Sequence, residues 1–531
     1  MQTFLQSNGI QIPLFFMQHE DDKILLNAPD AEWFRILYYL NWSDYQAVGA
    51  EYYDKLYEFN KTRPDRCNSE AKKDEMETKD EAKMRILFGR STMQDANEQK
   101  SGILYNGKII DLKPPKISPE EISPGVVPHR LGGKTPKCFF SMFKSFIGTI
   151  LMGFPGEPDK VHLLLTSNPS FARVCGFCTK DEYDPYDSRH IPSIRKLEQF
   201  DQIMRVYMIW DKIKIEEVKR NIKTGAIKEE NELVGDTTHY YACSGFETVH
   251  YTDDNGKEHK KSQSKLTKNC RCEERDTCEH QWELADDGAG TIVKSSHTMH
   301  WGHKASAIGL PQQGIPLDAV AISDASTHDG ETLYPHVEKL FNDHPEIKPW
   351  IDTIIYDSAC DSKPLKDKFQ ADFDIELKTS FNPRRKKDVT EGLPPGMEKI
   401  TPYGVPICIA GYEMEYKGIR YDAGKFIYQA PTDDNNITVC LPCEHKINCC
   451  PNSNTGRTIN ISFDVLPQIN PDDPPMAKRF KAILSRRTSI ERIIKRLKCD
   501  LGDDRLSKRG NESFQAYLDK TMIAFHLLLR N

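Results

Sequence analysis

Apolar positions change their period several times along this 531-residue chain. From about 129 to 225 they recur at helical spacing. Phe139, Phe140, Phe143, Phe146, Ile147 and Ile150 predict one helix, and PSIRKLEQFDQIMRVYMIWDKIKIEEVKRNI predicts one or two amphipathic helices with Ser193 as a candidate cap. After Glu229 the pattern becomes that of strands. ELVGDTTHYYA, HKASAIGL and AVAIS read as three strands, ETLYPHVEKLF as a helix, TIIYDSA as a strand, KPLKDKF as a helix and DIELKTS as a strand. About 90 residues of different texture follow, where YGVPICIAGYEMEYKGIRYDAGKFIYQAP alternates apolar and polar positions between glycine turns, as antiparallel structure does. Near the end, SRRTSIERIIKRLK returns to helical period. Ile490, Ile493, Ile494 and Leu497 form its apolar face beside a stripe of Arg487, Glu491, Lys495 and Lys498.

This order of elements divides the chain. Residues 1 to 128 hold aromatic patches, the charged run SEAKKDEMETKDEAKMR and the Pro-rich linker PPKISPEEISPGVVP, and they suggest no chemistry. Residues 129 to 228 form a helical region that could carry a DNA-recognition helix, simple helical packing being an equal alternative. Residues 229 to 382 form the first part of an α/β unit, with a Cys-rich insert at about 243 to 285. Residues 383 to 474 are a β-rich insertion, and 475 to 531 return to the α/β unit with the basic helix.

Composition adjusts this picture in three places. The net charge of −7 gives no global sign of polyanion binding, but from Lys478 onward fourteen Lys or Arg stand against six Asp or Glu. The apolar stretch from Cys138 to Phe154 is interrupted by Lys144 and reads as a core helix, so no membrane partner is expected. No secretory signal opens the chain, which places it inside the cell, where fifteen cysteines are expected to bind metal or be buried rather than pair.

Two strand-ending acids, Asp236 and Asp357, and the single acid of the basic helix, Glu491, are the candidate ligands of a split three-carboxylate metal site. Hard carboxylate oxygens select Mg²⁺ or Mn²⁺, and flanking cations suit a phosphodiester substrate. An Arg and a Glu four apart on a helix are more often a surface ion pair, and Asp286, Asp287, Asp329 and Asp361 compete as ligands although acids beside Gly or Ser usually cap turns. Cys270, Cys272, Cys278 and His280 in NCRCEERDTCEH are a candidate structural zinc set. A second set is Cys440, Cys443 and Cys449 or Cys450, with His445 as a further candidate. Cys175 and Cys178 sit in an apolar helical context where burial is the expected role.

Taken together, these motifs resemble the DDE transposases of bacterial insertion sequences, in particular the IS-four type with a β insertion. VGDTTHYY supplies the first acid, IIYDSACDS the second with Cys360 at the usual Tyr position, and Arg487, Glu491 and Lys498 fit the Tyr-x2-Arg-x3-Glu-x6-Lys signature with Leu484 at its Tyr position. HWGHKAS, STHDG with His328 and Asp329, and FNPRRKK fall in the family's order. The resemblance implies an RNase H-like mixed sheet interrupted by the β insertion. It also implies cleavage at transposon ends, strand transfer into target DNA, and a homodimer on paired double-stranded DNA ends in the bacterial cytoplasm, associated with the nucleoid. Arg384, Arg385, Arg487, Lys495 and Lys498 would then contact DNA. A metal-dependent nuclease and a domesticated, non-catalytic DNA-binding derivative are the alternatives.

Overall fold

The computed structural model describes residues 20–28, 31–62, 118–119, 136–178, 189–252, 256–268, 272, 274, 276–295, 298–382, 387–466, 469–472 and 474–530, with four short N-terminal strands between residues 4 and 110 described in backbone only. The strands read from the sequence assemble into one mixed sheet. Its members are β1 (Glu232–Tyr241), β2 (Thr298–Leu310), β3 (Ile315–Ala321), β4 (Thr353–Tyr356) and β5 (Glu376–Thr379). The spatial order is β3-β2-β1-β4-β5, and the short strand Gly290–Ser295 pairs with the start of β2 on the same side as β3. β1, β2 and β3 run antiparallel, whereas β4 lies parallel to β1 and β5 parallel to β4. Two helices connect the parallel strands, Asp329–Asp343 before β4 and Lys363–Phe373 after it. The first strand therefore sits at the centre, as its four buried leading residues require.

Two strands differ in extent from their sequence reading. β2 begins at Thr298 rather than His303, and β3 begins at Ile315 rather than Ala319. Pro316 and Asp318 hide the start of β3 from a pattern search. Pro316 is tolerated because β3 is an edge strand, and Asp318 because a buried lysine faces it. The basic run also differs, being broken rather than continuous. Helix Lys478–Ser485 ends at a turn over Arg486 and Arg487, helix Thr488–Lys495 follows, and Arg496–Asp500 widens into a π turn. The predicted apolar face of this run is buried at Ile490, Ile493 and Leu497, each contributing about 1.5–3 kcal/mol by leaving water.

The helices that precede the sheet share its core. Phe139–Leu151 is buried on all sides from Phe139 to Ile150, as expected of a central helix, and Lys144 within it donates to the Val174 carbonyl at 3.0 Å. Desolvation holds the Lys144 ammonium down at about 8. Cys175 and Cys178 are buried, as read. The C-terminal helix Asn511–Leu528 packs against both Phe139–Leu151 and Ile209–Thr224, closing one continuous apolar core around helices and sheet. Residues 389–476 have a core of their own. There the sheet Glu415–Arg420, Lys425–Gln429 and Thr458–Ser462 buries Phe426, Tyr428, Ile459 and Ile461. Among the described residues, no helix is long and apolar enough to cross a membrane.

Two packing details tie these parts together. Lys214, on helix Ile209–Thr224, is buried with its ammonium 2.6 Å from Asp318 of β3, 2.8 Å from Asp211 and 3.1 Å from Asp519 of the C-terminal helix. Burial opposes its charge, but the three carboxylates outweigh that cost and hold Lys214 well above its usual range. The second detail is Gly235 of β1, where an added Cβ would lie 2.8 Å from the ring of Tyr356, the last residue of β4. The missing side chain lets the two central strands close up.

Each detail carries an expected outcome. Lys214→Met leaves Asp318 and Asp519 without their shared counter-charge and should lower stability by on the order of 3–5 kcal/mol in denaturant unfolding followed by Trp210 fluorescence. A loss below about 1 kcal/mol would mean the network is slack. Gly235→Ala should cost about 1–3 kcal/mol through the displaced Tyr356 ring, and an unchanged midpoint would show that the ring can swing aside.

Candidate active site

The register between the central strands decides where the first two acids meet. β1 and β4 pair in parallel as Glu232↔Thr353, Leu233↔Ile354 and Val234↔Ile355. The ladder ends there, and Asp236 and Asp357 follow two residues further along each segment, close enough for the charge of Asp357 to act on Asp236. Asp357 lies just past the end of β4, where its carboxylate caps a short 3₁₀ turn by accepting from the Ala359 N–H at 2.9 Å. Asp236 accepts from the Thr237 N–H at 2.8 Å. Both acids are partly buried, and burial is the main reason that both are raised, Asp236 to about 6. Each also feels other negative charges, Asp236 from Asp357 and Asp329, and Asp357 from Asp329.

Strand alternation assigns the two faces of β1 to different helices. Arg487, at the start of helix Thr488–Lys495, places Nη1 3.1 Å from Asp236 Oδ2, and the adjoining Ile493 packs close to Gly309 of β2. Thr237 points the other way and donates to Asp329 Oδ1 at 3.1 Å, at the start of helix Asp329–Asp343. On that face His336 meets Ser306 Oγ at 2.7 Å. Lys304 of β2, nearly buried, pairs with Asp329 and donates to the Thr327 carbonyl at 2.8 Å. The acid pair is thus flanked by a cation from one face and a Lys–Asp pair from the other.

The remaining sequence-read residues fall in several places. Glu491 is exposed, one turn beyond Arg487 on the same helix. Among the described residues, its carboxylate does not join Asp236 and Asp357 in a group of three ligand atoms within 4.8 Å. Lys495 is exposed, whereas Lys498 donates to the His239 carbonyl and lies 5.0 Å over the Tyr240 ring, supporting the end of β1. Arg384 and Arg385 lie outside the described residues.

The competing acids separate by their partners. Asp361 accepts from Lys366 at 2.7 Å and the Asn382 N–H at 3.0 Å, so it organises the turn after β4. Asp286 is buried and accepts from His303 at 2.9 Å, from the Gly510 N–H at 2.7 Å and from Ser244. Asp287 accepts weakly from the Asn511 N–H at 3.3 Å. Only Asp329 stands beside the central pair. Its proximity, and that of Lys304, depends on a helix and a strand far apart in sequence, so STHDG and HWGHKAS carry the only signal that could have found them.

The cysteine sets behave differently. Cys272, Cys278 and His280 bring their ligand atoms within 4.8 Å of one another, while Cys270 lies outside the described residues. Cys440, Cys443, Cys449, Cys450 and His445 line one small pocket with Cys408, but no three of them close to that distance.

No curated protein matches the chain. A solved structure described as a piggyBac transposase synaptic complex with hairpin DNA aligns at 8% identity and a TM-score of 0.30, covering 76% of this chain and 68% of that one. Residues 294–527 match the family described as Transposase DDE domain. That span includes Asp357 and Glu491 and leaves Asp236 outside it. The resemblance to the DDE transposases drawn from the motifs is therefore met by the family itself, from β2 to the C-terminal helix.

Proposed function

We propose that this chain is a DDE transposase that cuts DNA at transposon ends and transfers the freed strand into target DNA, on an RNase H-like core. The observation that carries the reading is the strand pairing that brings Asp357 close to Asp236 while Arg487 reaches Asp236 from a third element. Strand order β3-β2-β1-β4-β5, with three antiparallel and two parallel members, supports the RNase H-like assignment.

The donor set fits a hard divalent cation. Two half-buried carboxylates whose acidity is weakened by burial and by neighbouring acids would be relieved by a bound cation. Mg²⁺ or Mn²⁺ bound there would supply activation of a water or 3′-hydroxyl and charge stabilisation at the leaving oxygen. Asp236 and Asp357 are the proposed primary ligands, with Glu491 as the third. The Ala359 N–H fixes the rotamer of Asp357, and Arg487 orients Asp236 and adds positive charge beside the phosphate. Lys495 and Arg492, exposed on the same short helix, are proposed backbone contacts on DNA, with Arg384 and Arg385 as further candidates. Cleavage of paired ends implies a homodimer.

Purified protein incubated with Mn²⁺ and a labelled duplex bearing the flanking DNA ends tests this. Cleavage at the element boundary should fall at least about 10³-fold in Asp357→Ala and Glu491→Ala. Activity retained in Glu491→Ala but lost in Asp329→Asn would transfer the third role to Asp329. Cleavage that ignores the ends would favour a general nuclease, and binding without cleavage a non-catalytic derivative.

A pH dependence follows from the raised acids. The folded protein holds the Asp236 proton more tightly than an unfolded chain, so in the absence of a cation raising pH through about 6 lowers stability, and cation binding must displace that proton. Mn²⁺ affinity measured by calorimetry should rise between pH 5 and 6 and level off above about 7. A flat profile from pH 5 to 8 would count against Asp236 as a ligand.

A further inference from the structure

The excursion between β1 and Gly290–Ser295 is poorly supplied with apolar packing. It consists of the hairpin Phe246–Thr252 with Glu258–Ser264 and a two-residue ladder, Leu266–Thr267 with Glu283–Leu284. Beyond that ladder the chain makes the polar loop that carries the cysteines. The apolar cluster under this loop is Leu266 and Trp282 with Leu284 against them. A core of that size cannot order such a loop by hydrophobic burial, and chains in this position normally use a cross-link or a metal.

The geometry points to a structural zinc site at Cys272, Cys278 and His280, separate from the carboxylate site and chemically unlike it. Cys272 Sγ lies 3.6 Å from His280 Nδ1. A zinc ion with ordinary bonds to sulfur and nitrogen, at the tetrahedral angle, sets two such ligand atoms about 3.6 Å apart. Cys278 completes the group within 4.8 Å, and all three side chains are partly buried. Two thiolates and an imidazole select zinc over magnesium.

A second observation concerns charge. Lys268 is only 4% exposed, yet its ammonium donates to the Cys278 carbonyl at 2.6 Å and lies 3.7 Å from Cys278 Sγ, with the Trp282 ring 5.1 Å away. A buried ammonium against a sulfur is stable when that sulfur is a thiolate, and metal-bound thiolates keep much of their negative charge. Lys268 thus acts as an outer partner of the site, hydrogen-bonding a ligand sulfur.

The site has a defined mechanical role. Asp286, two residues past the ladder, is bonded to Ser244 at the start of the excursion, to His303 of β2 and to the Gly510 N–H before the C-terminal helix. The base of the excursion is pinned to the core by this buried carboxylate, and zinc would order the tip. Loss of the ion should loosen the tip while leaving the sheet intact.

The test does not depend on DNA chemistry. Full-length protein is loaded with Co²⁺, whose thiolate charge-transfer band and tetrahedral visible bands report the site, and zinc is counted by mass spectrometry. Cys272→Ser with Cys278→Ser should lose one equivalent of metal relative to wild type, whereas Cys440→Ser with Cys443→Ser should keep the equivalent assigned here. If the first pair of substitutions prevents folding, chelation of wild-type protein gives the same readout. New proteolytic cuts should then appear between residues 265 and 284, with the main unfolding transition unchanged. Equal metal content in wild type and Cys272→Ser/Cys278→Ser, or a disulfide between Cys272 and Cys278 on thiol titration, would overturn the assignment.

Discussion

The close parallel pairing of β1 with β4 is the constraint on which the rest depends. It brings the carboxyl end of β4 against the first half of β1, where Tyr356 fills the space that Gly235 leaves empty. Once that contact is made, the next residue on each strand is an aspartate, and the two carboxylates are forced together whatever their electrostatic preference. Packing energy from the buried strands outweighs the repulsion, because four buried side chains of β4 contribute several kcal/mol, more than the cost of two half-buried acids.

The elements on either face then compensate for this concentration of negative charge. Arg487 approaches Asp236 from one face because the basic run breaks at Arg486 and Arg487. Lys304 offsets Asp329 on the other. Arg486 does similar work at the start of β1, where it meets Glu232, the first residue of the strand, at 2.6 Å. A helix that continued unbroken through this turn would direct both arginines elsewhere. The π turn at Arg496–Asp500 has a related consequence, since it carries Lys498 back onto the His239 carbonyl.

Buried charge also joins regions distant in sequence. Lys214 gathers Asp211, Asp318 and Asp519 from two helices and an edge strand. Lys520 and Lys508 converge in the same way on buried Asp201, at 3.0 and 2.7 Å. Removing Lys214 or Asp201 leaves buried partners of opposite charge short of a counter-ion, so these clusters restrict how the helices can pack against the sheet more than they add net stability.

Period and composition were enough to place the strands, the two connecting helices and the buried face of the Ile490–Leu497 run, because each is a local consequence of side-chain spacing, whereas the central position of β1 comes from its pairing with β2 and β4. They also marked Asp236 and Asp357, since acids directly after apolar strand residues stand out, although β1 runs on to Tyr241 and sets Asp236 at its middle rather than at its end. The start of β3 was not legible, because Pro316 and Asp318 break its pattern and are accommodated only by an edge position and by Lys214. Nor was the broken basic helix, whose turn is held by Glu232 and Asp236 some 250 residues away in sequence. The nearness of Asp329 to the acid pair, the diversion of Lys498 to β1 and the closure of Cys272, Cys278 and His280 were decided by tertiary structure. The first two depend on distances between elements that no spacing along the chain encodes, and the third on how one loop folds back on itself, although its spacing had already named these residues as candidate ligands.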